Sequence, residues 1–198
     1  MFLAGLAAGA QTRWGIRGGA NLNSINLEYA PFLTNRYFEN NYAFHLGGFA
    51  ETTINKKGAL HTGFQLIQMR VNSRNFNNTP ATSTRINLNF IEAPVLLVMG
   101  LSNRLLSIEI GPSFLYRLSA SENPNDMSKN LDQIFSNKLE AGMNGGIRFL
   151  AANKIVIWSR YYHGFKQTSN FPITSTYKPQ NIKTNFQVGL GYILSPHN

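Results

Sequence analysis

Apolar and polar positions alternate with a period of two along nearly the whole chain, and the 3.6-residue period of an amphipathic helix is almost absent. In the first stretch Trp14, Ile16, Gly18, Ala20 and Leu22 share one parity, against Arg13, Gly15, Arg17, Gly19, Asn21 and Asn23 on the other. The second sets Tyr42, Phe44, Leu46, Gly48 and Ala50 against Ala43, His45, Gly47, Phe49 and Glu51. The third sets Leu60, Thr62, Phe64 and Leu66 against His61, Gly63 and Gln65. The fourth, from Ile86 to Val98, is apolar on both parities around Glu92, so the pattern leaves its phase open. Alternation returns from Leu106 to Arg117 and from Lys138 to Phe149. It is less clean from Ile155 to Tyr162 and clear again from Ile182 to Tyr192. This predicts eight strands of roughly a dozen residues, longer than the usual soluble strand and long enough to cross a bilayer when tilted.

The connections alternate as well. Short links fall near 54–58, 100–103 and 151–153, and long polar links near 25–41, 72–85, 119–137 and 167–180. Short turns at one end and long loops at the other are the layout of an outer-membrane barrel, with the turns in the periplasm. The expected fold is therefore all-β, an eight-stranded antiparallel up-and-down transmembrane β-barrel in the cell outer membrane.

Composition sharpens this. Charged residues make up 14% of the 198, against roughly a quarter in a typical soluble domain, while aromatics reach 12%. Of the nine acids, Glu51, Glu92, Glu109 and Glu140 lie near mid-strand on the polar parity, shared by Arg17, Arg117, Lys138, Arg148, Arg160 and Lys183. The remaining acids lie in the long links. A charge facing lipid at the midplane costs about 2–4 kcal/mol, so this segregation is what insertion demands. Arg17, Glu51, Glu92, Glu109, Arg117, Glu140, Arg148 and Arg160 are the expected interior polar network. The lumen of so small a barrel is filled by side chains, and polar groups there must satisfy one another. A structural network is the commoner use of such groups than a catalytic or proton-conducting carboxylate pair, for which Glu92 and Glu109 are the candidates.

The net charge of +9 calls for an anionic partner. Only Lys56 and Lys57 are adjacent among the basic residues, and no nucleic-acid-binding signature accompanies them. Outer-membrane lipid is the expected partner, through basic positions near the loop ends such as Arg70, Arg74, Arg85 and Lys166. With no Cys, thiolate metal sites and disulfides are excluded. His45, His61, His163 and His197 lack ligand spacing, and no nucleophile-elbow, P-loop or dinucleotide fingerprint occurs. No cofactor, metal or enzymatic activity is expected.

Both termini carry signals. Phe2 to Ala8 is a short apolar run, and Ala8-Gly9-Ala10 fits a small-x-small cleavage site. Residues 1–10 are the expected remnant of a secretory signal peptide, with the barrel domain spanning 11–198. The last strand, with Gln187, Gly189, Tyr192 and Leu194 at two- and three-residue steps, matches the terminal β-signal resembling those read by the outer-membrane assembly machinery, the expected partner in biogenesis.

Several stretches together resemble the PorT-like outer-membrane β-barrel family. They are Gly15-Ile16-Arg17-Gly18-Gly19-Ala20-Asn21-Leu22-Asn23, Leu88-Asn89-Phe90-Ile91-Glu92-Ala93-Pro94-Val95-Leu96-Leu97 and Gly111-Pro112-Ser113-Phe114-Leu115-Tyr116. Arg160-Tyr161-Tyr162-His163-Gly164-Phe165 and the last strand continue the series. The resemblance implies a small bacterial outer-membrane barrel, and for its namesake an accessory role in protein secretion. A structural or interaction role through long extracellular loops is the expected function. The alternative is a soluble lipocalin-like barrel binding an apolar ligand, with the apolar parity turned inward. A rim enzyme using Glu39, Asp126 or Asp132 is a third reading, for which the sequence shows no nucleophile–base arrangement.

Overall fold

The computed structural model describes residues 11–25, 28–29, 36–75, 82–101, 105–124, 129–130, 138–152, 154–165, 177–178 and 182–195. The proposed signal remnant, Asp126, Asp132 and Lys166 lie outside them. Eight long strands carry the fold: β1 (Thr12–Ile25), β2 (Tyr42–Thr53), β3 (Gly58–Asn75), β4 (Thr82–Gly100), β5 (Leu106–Pro124), β6 (Leu139–Ala152), β7 (Ile155–Gly164) and β8 (Ile182–Ile193). Each pairs antiparallel with its neighbours in sequence, and β1 also pairs with β8 from Gly15↔Ile193 to Ile25↔Ile182. That last ladder closes the ring. Closure leaves the transmembrane strands no free edge, the condition a sheet must meet in hydrocarbon.

The parity read from the sequence sorts the two faces. Trp14, Ile16, Tyr42, Phe44, Leu46, Phe64, Leu66, Ile147 and Leu190 are exposed on the outside, while Arg17, Asn21, His61, Gln65, Glu109 and Gln187 are buried inside. The fold is thus turned inside out relative to a soluble protein, which removes the lipocalin-like alternative. Aromatic side chains ring the outer face near both ends. Trp14, Phe149 and Tyr192 lie toward the turns, and Tyr42, Tyr116, Tyr161 and Phe165 toward the loops. These are the interfacial girdles of a membrane barrel.

The turns fall where alternation breaks. Between β2 and β3 the chain reverses through Asn55, with Ile54 N donating to Gly58 O at 2.9 Å and Lys57 N to Asn55 Oδ1 at 2.9 Å. The phase of β4, open in the sequence, is set with Leu88, Phe90, Glu92, Leu96 and Val98 inward.

The loop side departs from expectation. The proposed loop at 72–85 is largely sheet, since β3 runs to Asn75 and pairs with β4 up to Asn75↔Thr82. β5 continues past the proposed loop start at 119 to Pro124, and Ser121 and Glu122 pair with Asn130 and Lys129. Within the proposed 25–41 loop, Arg36–Asn40 adds to the upper part of β3 from Arg36↔Asn75 to Asn40↔Val71. Glu28–Tyr29 pairs with Tyr177–Lys178, joining the links after β1 and before β8. Backbone pairing does not depend on apolar alternation, so the ladder persists where the pattern that reveals it stops. Arg70, Arg74 and Arg85 are accordingly strand residues, with Arg74 opposite Tyr37 and Ser83.

Gly19 and Gly189 face each other across the closing ladder. A Cβ on Gly19 would lie 2.6 Å from the Gly189 Cα, whereas one on Gly145 would meet nothing within 4 Å. Gly19→Ala is therefore expected to cost about 1–3 kcal/mol, and Gly145→Ala to cost nothing measurable. Urea unfolding midpoints of the two variants in detergent check the contrast.

Candidate functional site

Among the described residues, the lumen concentrates the charged and polar side chains. Alternation on eight strands aims one residue in two at the axis, and Gly47, Gly111, Gly146 and Gly189 leave room for longer neighbours. Every member of the proposed network is buried there. Relative exposure is 0% for Glu92, 1% for Arg160 and at most 9% for Arg17, Glu51, Glu109, Arg117, Glu140 and Arg148.

Their contacts form chords across the barrel. Glu51 on β2 accepts from Arg13 Nη2 on β1 at 2.6 Å and from Arg148 Nη1 on β6. Glu109 on β5 accepts from Arg160 Nε on β7 at 2.8 Å. Arg17 Nη1 on β1 donates to His61 Nε2 on β3 at 2.8 Å. Arg117 is the charged neighbour of Glu140, with β5 and β6 in register at Leu115↔Glu140.

Glu92 on β4 is held differently. Its Oε1 accepts from Ser113 Oγ at 2.6 Å and Asn144 Nδ2 at 2.7 Å; its Oε2 accepts from Gln65 Nε2 and from Gln187 Nε2 at 3.3 Å. Gln65 Nε2 also reaches Gln187 Oε1 at 3.1 Å. Neutral donors from β3, β5, β6 and β8 thus converge on one carboxylate. Glu92 and Glu109 therefore have separate partners.

Two apolar clusters bracket this centre. Phe49, Val156, Trp158 and Ile193, with Leu150 against them, lie toward the turns. Ile67, Met69, Leu88, Phe90, Leu115, Ala120 and Tyr162 lie toward the loops, because on β3 they follow Gln65 and on β4 they precede Glu92. A recess of about 240 Å³ opens at the turn end, lined in part by Arg13, Glu51, Lys56, Lys57, Ser107 and Arg148. Among the described residues no group of His, Asp and Glu has the arrangement of a metal site.

Arg13, His61, Gln65, Ser113, Asn144 and Trp158 belong to this interior but were not among the proposed site residues. All lie on the polar parity, so parity alone, without the filter for charge, finds them. Gln187 sits in both groups, since it lies in the terminal signal and donates to Glu92. Gly189 lies in the closing ladder, while Tyr192 and Leu194 face outward.

The interior-out barrel has counterparts. Residues 9–170 match the family described as "Outer membrane protein beta-barrel domain". The chain belongs to that family. No curated protein sequence matches it. Among solved structures, it is similar to Ail, the attachment invasion locus protein of Yersinia pestis, in complex with the heparin analogue sucrose octasulfate. The TM-score is 0.50 at 12% identity, over 93% of this chain and 99% of that one. It is also similar to OprG of Pseudomonas aeruginosa, with TM-score 0.49, 12% identity, and 93% and 96% coverage. For outer membrane protein W of E. coli the values are 0.48, 12%, 92% and 97%. Identities this low speak to fold alone. Family and fold together place the barrel in the cell outer membrane, in contact with its lipid.

Glu109→Leu would strand the buried Arg160 guanidinium and is expected to cost about 3–5 kcal/mol. Adding Arg160→Met should recover most of that loss, because two apolar groups replace a matched pair. Unfolding free energies of the single and double variants in lipid vesicles decide it; a double variant as unstable as the single would argue against pairing.

Proposed function

We propose that this outer-membrane barrel is non-enzymatic and closed to solutes, and that it acts through the surface raised on its loop side. The carrying observation is the unequal height of its wall. β3, β4 and β5 run 18, 19 and 19 residues, against 10 for β7 and 12 for β8. Arg36–Asn40 and Lys129–Asn130 flank the tall strands. Crossing lipid takes about 9–11 residues, so the excess stands in water as a sheet. Rigid sheet at the rim presents a surface at lower ordering cost than a free loop.

The interior supports closure. Polar chords and apolar clusters occupy the cross-section, and the recess lined by Arg13, Glu51 and Arg148 lies at the turn end. Among the described residues, Ser113 bonded to Glu92 has the form of a hydroxyl beside a base, and both are wholly buried. We read the eight-residue network as the scaffold that holds the rim in shape. In the same reading the mature chain begins at Gln11, and Gln187, Gly189, Tyr192 and Leu194 present the terminal strand to the assembly machinery. A role as accessory to protein secretion rests on the resemblance to the PorT-like family.

Planar-bilayer recordings should show no steady conductance on the nanosiemens scale; such a current would overturn the closed lumen. Replacing residues 125–137 with a short turn should leave a folded barrel and abolish capture of the external partner by cross-linking in whole cells. Undiminished capture would remove that segment from the proposed surface.

A further inference from the structure

Inside the barrel, between the turn-side apolar cluster and the Glu109–Arg160 pair, lies a cavity of about 20 Å³. Arg17, His61, Glu109, Arg148, Trp158 and Arg160 are its polar lining. About 10–15 Å³ by this measure suffices for one water-sized species. Several nitrogens of these side chains have no hydrogen-bond partner in the protein: Arg17 Nε and Nη2, Arg160 Nη1, Trp158 Nε1 and His61 Nδ1. Arg17, His61, Trp158 and Arg160 are each at most 5% exposed.

Every one of these nitrogens is a donor. Arg and Trp side chains have no acceptor. Because Arg17 Nη1 must donate to His61 Nε2, the neutral imidazole carries its proton on Nδ1. That proton points to no near oxygen, since Glu51 Oε2 is 3.8 Å away. The charges tell the same story. Arg148 and Arg13 share Glu51, and Arg160 has Glu109. Arg17 is a buried guanidinium whose one side-chain hydrogen bond is to an imidazole. Arg17 and Arg160 both lie over the Trp158 ring, 5.5 and 5.0 Å from its centroid, so two cations crowd one indole. Among the buried groups, Arg148 is paired with Glu51 and Arg160 with Glu109, while Glu92 is held by neutral donors, so Arg17 is the guanidinium without a carboxylate bonded to it.

We propose that this cavity is a binding site for a single halide-sized anion, chloride in the cell, held by Arg17, Arg160, Trp158 and His61. Phe49, Val156 and Gly191 complete the lining, and its carboxylate, Glu109, is already bonded to Arg160; the polar atoms left without a partner are donors, which the two hydrogens of a water do not satisfy. An anion only accepts, so it satisfies the orphaned N–H groups together and gives Arg17 a negative partner. The site is a structural rivet: it joins β1, β3 and β7, which carry its donors.

Bromide is the probe. Crystals of the full chain grown in sodium bromide should show an anomalous peak among Arg17, Trp158 and Arg160. In solution at constant ionic strength, the thermal unfolding midpoint should rise with chloride or bromide and not with gluconate, which is too large for the cavity. Arg17→Met should abolish the rise. Trp158→Phe, which removes one donor, should raise the half-saturating chloride concentration about tenfold. Crystals without an anomalous peak, or equal midpoints in chloride and gluconate, would overturn the site, as would a chloride dependence that survives Arg17→Met. Should Arg17→Met fail to fold, the bromide peak in the unaltered protein and the Trp158→Phe shift decide the matter.

Discussion

A strand in hydrocarbon has to find a hydrogen-bond partner for each backbone group along both its sides, and the pairing of β1 with β8 is where this chain meets that requirement. Without that ladder two strands would present bare N–H and C=O groups to lipid, each costing several kcal/mol. Closure dictates the rest. It separates an outer face that lipid keeps apolar from an inner face too narrow for bulk water, and it brings Gly19 and Gly189 together in a close backbone approach. It also forces every charge that cannot lie outside into one small volume.

That crowding explains the form of the interior. A lone buried charge is far more costly than a paired one, so each carboxylate in the lumen needs a counter-ion or a full set of donors. Glu51 and Glu109 take the first solution, and Glu92 the second. The second is the more demanding, since it recruits side chains from β3, β5, β6 and β8 at once. The bonds of Glu51 to Arg148, of Glu109 to Arg160, of Arg17 to His61 and of Glu92 to Asn144 and Gln187 tie together strands that are not neighbours in the sheet. A barrel wall is held circumferentially by its ladders; the chords hold it across the diameter.

Much of this was legible in the sequence, and the limits have physical reasons. Parity announced the lumen because lipid on one side and a polar interior on the other impose opposite chemistry on successive residues. Where the interior is itself apolar the signal fades. Leu88, Phe90, Leu96 and Val98 all face inward on β4, so that strand looked apolar on both faces. Gln65, Ser113 and Asn144 were passed over because the reading weighted charge, whereas Glu92 is satisfied by neutral donors. The tall wall was missed for the opposite reason. From Val71 to Asn75 and Thr82 to Arg85 the backbone ladder continues, while the sequence carries no apolar alternation to reveal it.

This difference between the two halves of each strand bears on where function can lie. Within the membrane, a change at a lumen position disturbs a partner on a distant strand, so Glu51 is not free to vary without Arg13 and Arg148. Arg36–Asn40 and Lys129–Asn130 join the sheet through backbone pairing, which any side chain permits. Specificity for something outside the cell can be written there without touching the packing of the lumen. The buried network holds a frame, and the frame carries a surface whose side chains can be exchanged independently of it. The chemistry concentrated inside the barrel thus serves to hold the frame, and it is on this ground that the proposed action is assigned to the rim.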